Sequence, residues 1–403
     1  LGPFGPAPAL GVAVSGGPDS LALALLLDTW TRARGGRLHA FTVDHGLRRE
    51  AAGEAAWVAE RLAARGIPHR TLRWRPAEPG RVRQAEARAA RYALLAEAAA
   101  EAGLLYLALG HHREDQAETV LLRAAAGSGP AGLAGMAPLR PLESLWLIRP
   151  LLAAPKARLE ATLRARGETW IVDPSNRDPA HARVRVRRAL PKLAEAGVTV
   201  DGLCHLAELM GRARGHMEAA TAGILAEAAS LDPAGYIRLD PAPILATPDP
   251  VATAALGQAL ATVGGRWHSP RSARLARLLD GLRQHPRQAR TLGGCRIVPR
   301  RGVWLLVREP GRAPEMALTP GETVAYDGRF TVAVAASAPA DLRIGPLGEA
   351  GWATLTAQTP SLRAHPLPPP ARPPLPALRD SRGLRAVPAL GWQREDAAPC
   401  AAI

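Results

Sequence analysis

Cysteine is nearly absent from this chain: Cys204, Cys295 and Cys400 are the three among 403 residues, far apart and with no CxxC pair. That spacing suggests neither a zinc ribbon nor an iron–sulfur site, and three scattered thiols fit a reducing cytosol better than a disulfide framework. Aromatic residues supply only 4% while hydrophobic residues reach 47%, so the cores are expected to be built from Leu, Val and Ala. No uninterrupted apolar run reaches transmembrane length, and Arg32 is the first basic residue, so no charged segment precedes an apolar stretch as a secretory signal requires. A cytoplasmic protein with no membrane partner is the expectation. Leu1 is not a usual start, so a few residues are expected upstream of it. Lysine is also scarce: Lys156 and Lys192 stand against 51 basic residues in all.

What the chain has instead is arginine. A net charge of +15 points to a polyanionic partner, with a GC-rich, basic host proteome as the bland competitor. Between Arg266 and Arg312 twelve arginines face only Asp280 and Glu309. The length implies two or three domains, with divisions expected at 1–197, 198–312 and 313–403. Over the first 150 residues, short apolar runs at 11–14, 38–43 and 104–109 and a candidate third strand at 69–74 alternate with helical stretches at 21–34, 51–65, 82–102 and 115–126. This rhythm predicts an α/β fold with a doubly wound parallel sheet. Residues 155–193 read as basic and helical, broken by a turn at Asp173-Pro174-Ser175-Asn176. An irregular helical middle region follows over 201–283. A small C-terminal α+β domain is expected beyond it, with strands at 303–307, 323–326 and 330–335. The proline-rich stretch 366–376 reads equally as a linker or as an ordered segment wrapped on the fold.

Three polar clusters each follow a predicted strand. The first is Ser15-Gly16-Gly17-Pro18-Asp19-Ser20. Adjacent glycines let backbone N–H groups approach an anion, and the helix amino end favours negative charge. It is not a Walker A loop, since no Gly-Lys-Ser/Thr follows. The second is Asp44-His45-Gly46-Leu47-Arg48, and the third runs from His111 to Thr119. In the third, His111, Asp115 and Glu118 have i, i+4 and i+3 spacing, which places them on one helix face. A capping acid with solvated charges would explain any one cluster, but explains poorly why all three leave the carboxyl edge, where open α/β sheets bind ligands. HExxH is absent and adjacent histidines diverge on a helix, so zinc is disfavoured; carboxylates beside a phosphate loop suit Mg²⁺ carried largely by phosphates and water. The sequence Gly127-Ser128-Gly129-Pro130-Ala131-Gly132 matches GxGxxG but follows a helix instead of a strand, so it reads as a mobile loop near the site and not as a dinucleotide fingerprint.

The segments SGGPDS, VDHGLR and HHREDQAETVLLR resemble the N-type ATP-pyrophosphatases, and specifically the tRNA(Ile)-lysidine synthetases. ARAARY at 87–92, GSGPAGLAGM at 127–136, RPLL at 149–152 and DPSNRDPAHARVRVR at 173–187 extend the match in family order over residues 11–190. The similarity is fainter beyond, at 369–380 and 387–392. The resemblance implies an adenine nucleotide alpha hydrolase-like fold with ATP and Mg²⁺ as cofactors and the CAU-anticodon tRNA(Ile) and L-lysine as partners, and it is compatible with a homodimer. It implies that ATP adenylates the C2 oxygen of the wobble cytidine and that the lysine amine then displaces AMP. On this reading Ser15, Gly16, Gly17, Pro18, Asp19 and Ser20 hold pyrophosphate, while Arg91 and Arg88 offset phosphate charge. Asp44, Asp115 and Glu118 supply carboxylates, with lysine expected at Glu118 and Mg²⁺ near Asp44. His111 lines the site, and Arg183, Arg185 and Arg187 grip tRNA. Two positions depart from the pattern: Glu114 stands where Asp is usual, and Val184 where Asn is common, which puts one polar contact in question. A thiolating tRNA ATP-pyrophosphatase and a non-catalytic RNA-binding protein are the alternatives. The first would need cysteines near the motifs, and the second would not need Asp19, Asp44 and Asp115 intact. No amidotransferase domain of the GMP synthetase kind is evident.

Overall fold

The computed structural model describes residues 4–44, 46, 50–75, 84–142, 145–172, 178, 180, 182–395 and 401–402. They form two compact units, 1–215 and 216–403. In the first, β1 (Ala9–Ala13), β2 (Arg37–Asp44), β3 (His69–Arg73), β4 (Tyr106–Ala108), β5 (Leu139–Leu142) and β6 (Leu145–Ile148) form one sheet. Its order is β3-β2-β1-β4-β6-β5, parallel throughout except that β5 runs antiparallel to β6. The short apolar runs form strands because both faces of the sheet are covered. Leu10 and Val12 point toward α1 (Pro18–Arg32), α2 (Ala51–Ala63) and α6 (Lys156–Ala165); Ala13 and Phe41 meet α3 (Gln84–Glu101) on the other side. Gly11 permits this packing, since a Cβ there would lie 3.1 Å from a Leu107 methyl and 3.3 Å from the Phe41 ring.

From β1 the chain winds outward through β2 and β3, then returns to place β4 on the opposite side of β1. The carboxyl ends of β1 and β4 therefore flank the switch point, where doubly wound sheets open a ligand crevice. Two of the three polar clusters leave from these strands. Beyond the sheet, α4 (Arg113–Ala125) packs through Ala117 and Val120 on Leu190 of α7 (Ala182–Glu195) and on Leu203, Cys204 and Ala207 of α8 (Val200–Ala228). The turn expected at 173–176 lies outside the described residues.

The region read as helical between 201 and 283 contains a hairpin. β7 (Ala229–Asp232) and β8 (Tyr236–Leu239) join β9 (Arg290–Leu292), β10 (Cys295–Arg300) and β11 (Val303–Arg308) in a sheet ordered β7-β8-β11-β10-β9. Trp304 and Leu306 of β11 face α10 (Asp249–Val263) and α11 (Ser272–Gln284), whereas Leu305 and Val307 face Leu355 of α12 (Gly348–Gln358) and Leu375. The period of two thus buries β11 on both sides. The proline-rich stretch is ordered: Leu367, Ala371 and Leu375 are buried, and the chain runs into β16 (Pro376–Asp380). β16 lies between β15 (Arg343–Pro346) and β17 (Gly383–Val387), and β13 (Thr323–Tyr326) pairs with β14 (Phe330–Val334). No helix among the described residues is long and apolar enough to cross a membrane.

Candidate active site

The loop after β1 is closed by its own hydroxyls. The Ser15 N–H donates to Ser20 Oγ (3.1 Å), the Ser20 hydroxyl donates to the Gly17 carbonyl (3.1 Å), and the two serine oxygens stand 3.2 Å apart. Gly16 is in the left-handed region (φ 81°), with the Ile171 side chain where its Cβ would be; Gly17 is extended (φ −70°), and a Cβ there would meet only Ser15 Oγ at 3.7 Å. The backbone at Gly17 is therefore open, next to the first turn of α1, where unpaired N–H groups attract anions. Gly110 brings the second loop in close, since a Cβ there would lie 3.0 Å from the Asp19 and Ser20 backbone.

Around this junction the side chains form a dense polar cluster. His112, only 2% exposed, caps α4. Its Nδ1 is 2.9 Å from Glu114 Oε2, and its Nε2 lies 3.4 Å from Asp115 Oδ2 and 3.6 Å from Asp19 Oδ2. Burial alone would lower its pKa, but the Glu114 hydrogen bond and the Asp115 and Asp19 charges raise it on balance. Glu114 is pulled down to about 2: burial opposes this, but His112 and the Lys156 backbone N–H both hold its anion. Asp19 is raised, because burial outweighs the His112 and Lys156 charges; its Oδ1 is buried without a hydrogen-bond partner among the described residues. Lys156 Nζ stands 3.9 Å from Asp19 Oδ2.

On the far side of Asp115, Arg187 reaches in from α7. Its Nε and Nη2 donate to the two oxygens of Glu118 (2.7 and 3.2 Å), and Nη2 lies 3.8 Å from Asp115 Oδ1. Glu118 is fully buried, while the Arg187 side chain is 41% exposed. The carboxylate expected to meet lysine thus already holds a cation from its own chain. His111 also departs from expectation: α4 begins at Arg113, so His111 precedes the helix instead of sharing its face. It is nonetheless near Asp115, Arg149, Arg183 and Arg91 electrostatically, and burial followed by the three arginines pushes its pKa down to about 3. Half-buried Arg91 and buried Arg149 are both lowered by burial. Arg88 is exposed and lies over the Tyr92 ring.

Asp44 behaves differently. It ends β2, and its Oδ1 accepts the Gly46 N–H (2.9 Å), closing its own turn; no described contact brings it into the Asp19–His112–Asp115 cluster. His45, Leu47 and Arg48 lie outside the described residues. Arg185 is exposed and donates to the Ala180 carbonyl, and Val184 is buried, so this position packs where the usual Asn would make a polar contact. The loop at 127–136 is tied to α4 instead of hanging free: Arg123 donates to the Gly132 and Gly135 carbonyls, and Gln116 exchanges two hydrogen bonds with Met136. Among the described residues no group of three His, Cys, Asp or Glu is placed to hold a metal ion.

A PP-loop domain family model matches residues 5–194. A tRNA(Ile)-lysidine synthase from Methylobacterium nodulans is 45% identical over 322 residues, which cover 77% of this chain and 93% of that protein. The chain belongs to the tRNA(Ile)-lysidine synthase family. The synthase of Bradyrhizobium diazoefficiens is 50% identical over 219 residues, 54% of this chain and 61% of that protein. That of Ruegeria pomeroyi is 38% identical over 342 residues, 85% and 80% of the two chains. The PP-loop domain makes ATP a ligand of this chain.

Sequence reasoning named the loop and the acids but not His112, Lys156 and Arg149 as members of the site. Arg149 carried a signal, because it directly follows β6 at the ligand-binding edge of the sheet. Lys156 carried a weaker one as one of only two lysines. The capping role of His112 depends on where α4 starts, which periodicity does not resolve.

Proposed function

We propose that this protein ligates L-lysine to C2 of the wobble cytidine in the CAU anticodon of tRNA(Ile), in two steps on one site. In the first, the C2 oxygen of cytidine attacks the α-phosphorus of ATP and pyrophosphate leaves. In the second, the lysine side-chain amine attacks C2, the bond from C2 to the adenylate oxygen breaks, and AMP departs as the amine gives up a proton. The observation that carries this reading is the pairing of an anion cradle with a cation-binding pair of acids on either side of His112. The 15–20 loop, open at Gly17, receives the leaving pyrophosphate. Arg91, Arg149 and Arg183, whose charges act on His111, offset charge that builds on the transferring phosphoryl group. His111 stays neutral there and so adds no repulsion toward these arginines.

Asp115 and Glu118 form the cation site. Arg187 holds it in the free protein, and the ammonium of lysine has the same charge and similar donors. Asp115, which keeps one oxygen toward Arg187 and one toward His112, is placed to take the proton from the attacking amine. Mg²⁺ fits best at Asp19, whose buried Oδ1 lacks a partner, with ATP phosphates completing its shell; Asp44 already spends an oxygen on Gly46. The ion would neutralise phosphate charge when bound. Thiolation is disfavoured by Cys204 and Cys295, both buried and with thiols raised by burial, away from reactive thiolate character.

The test is AMP release and incorporation of labelled lysine with unmodified tRNA(Ile) bearing a CAU anticodon. Lysine-dependent labelling of the tRNA with one AMP released per lysine is expected. AMP formation with sulfur transfer, or no lysine incorporation at all, would refute the assignment.

A further inference from the structure

The second unit holds a groove of about 760 Å³, lined by Leu231, Asp232, Arg266, Trp267, Arg329 and Phe330 among others. Trp267 is 82% exposed and Leu231 62%. An exposed indole is costly to leave in water without a use, and here it sits beside an exposed arginine. The floor is rigid. A Cβ at Gly235 would lie 2.5 Å from the Phe330 ring, so this ring rests directly on the backbone of the β7–β8 turn. The turn after α10 packs backbone to backbone on the β13–β14 turn: a Cβ at Gly265 would collide with the Asp327 carbonyl, and one at Gly328 with that of Gly265. Both glycines have positive φ, which leaves no room for another residue at either position. Trp267 is therefore presented from a fixed turn.

The two arginines of the groove have different standing. Arg329 is spent: its guanidinium pairs with buried Asp327 and stands over the Phe330 ring. Arg266 makes no side-chain ion pair among the described residues and is exposed, at the start of the twelve-arginine segment. We infer that this groove binds an unstacked nucleotide of the tRNA substrate, its base stacked on Trp267 and its phosphate on Arg266. Asp232 of the lining accepts the Ala234 N–H within its own turn and Arg329 is paired with Asp327, so exposed Arg266 is the cation open to a phosphate among the described residues of the groove; one aromatic face beside one such cation is how single-stranded nucleotides are held without sequence reading. The inference rests on the tRNA reading above and adds a second point of attachment outside the ATP site.

The experiment measures binding of unmodified tRNA(Ile) to the full chain carrying Trp267→Ala, Trp267→Phe or Arg266→Gln, across a salt series. Trp267→Ala is expected to weaken binding about five- to hundredfold, the worth of one base stack, with the salt slope unchanged. Trp267→Phe should restore most of the affinity, and Arg266→Gln should lower the salt slope by about one unit. Lysine incorporation at saturating tRNA should stay at the wild-type rate in all three. Wild-type affinity in Trp267→Ala, with tRNA still bound, overturns the groove assignment alone. Absence of tRNA binding by the wild type overturns both readings. Loss of self-association in Trp267→Ala with unchanged tRNA affinity would assign the face to a second copy of the chain and also overturn the inference.

Discussion

Within the 15–20 loop the two glycines meet different surroundings, and the difference makes them separable by mutation. A side chain at Gly16 would need a left-handed backbone and would enter the space of Ile171, so its loss damages the fold. A side chain at Gly17 meets open space at an ordinary φ, so Gly17→Val should fold normally. Its branched side chain then occupies the position proposed for the phosphates. ATP affinity measured by calorimetry is expected to fall more than tenfold with little change in melting temperature; undiminished ATP binding by a folded Gly17→Val protein would place the nucleotide elsewhere. Glu118 offers a sharper choice. If Arg187 merely guards a cation site, Arg187→Met should lower the lysine KM, because the ammonium no longer competes with a tethered guanidinium. Glu118→Gln should then raise that KM while adenylated tRNA still accumulates. Removing Arg187 leaves the buried Glu118 carboxylate without its cation, and removing the Glu118 charge leaves Arg187 unpaired, so both variants need a folding control. An unchanged lysine KM in Arg187→Met, together with lost adenylation, would make Arg187 and Glu118 a fixed pair that serves the ATP step.

The amino end of α4 places five titratable groups in succession, His111 to Asp115, and its pH response follows from them. His111 has a folded pKa near 3 against 6.5 when unfolded. As pH falls below 6.5 the unfolded chain takes up a proton that the native site refuses, so stability declines from there toward pH 3. Glu114, lowered to about 2 from 4.5, adds a second loss only below pH 4.5. His112 is raised and works in the opposite direction, favouring the fold at low pH and losing its contribution as pH rises through its folded pKa. Between pH 6.5 and 4.5, then, His111 should dominate the local slope, at most about 1.4 kcal/mol per pH unit. His111→Asn is expected to flatten urea-midpoint decline across that window, and a slope as steep as the wild type's would show that burial of His111 is not the cause. Little of this was legible in the sequence. The strands β1, β2 and β4 were, because buried parallel strands read as apolar runs; β3 buries only Leu72 and was marked by the β-α rhythm alone. The β5–β6 hairpin was not: β5 is Leu139-Arg140-Pro141-Leu142 with none of its residues buried, and the apolar run of β6 is only four residues long. In β10, Cys295 and Ile297 are buried around exposed Arg296, an alternation hidden among arginines. Spacing on one helix placed Asp115 near Glu118, but what arrives from elsewhere in the chain, Arg187 from α7 and Lys156 from α6, depends on packing that spacing does not encode.

At the scale of the whole molecule the question is how a chain of net charge +15 divides its arginines between holding the fold and holding RNA. The twelve between 266 and 312 are not one population. Arg308 is buried and clamps Asp327 through Nε and Nη2, in company with Arg329. Arg283 pairs with Asp249 at 2.7 Å, and Arg290 lies half-buried against Gly281. Others have no such tasks: α11 buries Leu275, Leu278, Leu279 and Leu282 and thereby turns Arg274 and Arg277 outward, while Arg271, Arg287, Arg300 and Arg301 are exposed. Composition counts all twelve toward the charge that points to a polyanionic partner, and the fold removes Arg308 from the surface. The two classes predict different phenotypes. Arg308→Gln should destabilise the second unit, since it leaves buried Asp327 with one partner fewer, and should lower the melting temperature of that unit. Gln at Arg274, Arg277 and Arg287 together should leave melting unchanged and reduce tRNA affinity, with a slope of log affinity against log salt shallower by about 0.9 for each phosphate no longer neutralised. Titration of tRNA at several salt concentrations with the triple variant decides the matter. A slope equal to the wild type's would mean these exposed arginines only solvate the surface, and the tRNA phosphates would then have to be met by the arginines of α7.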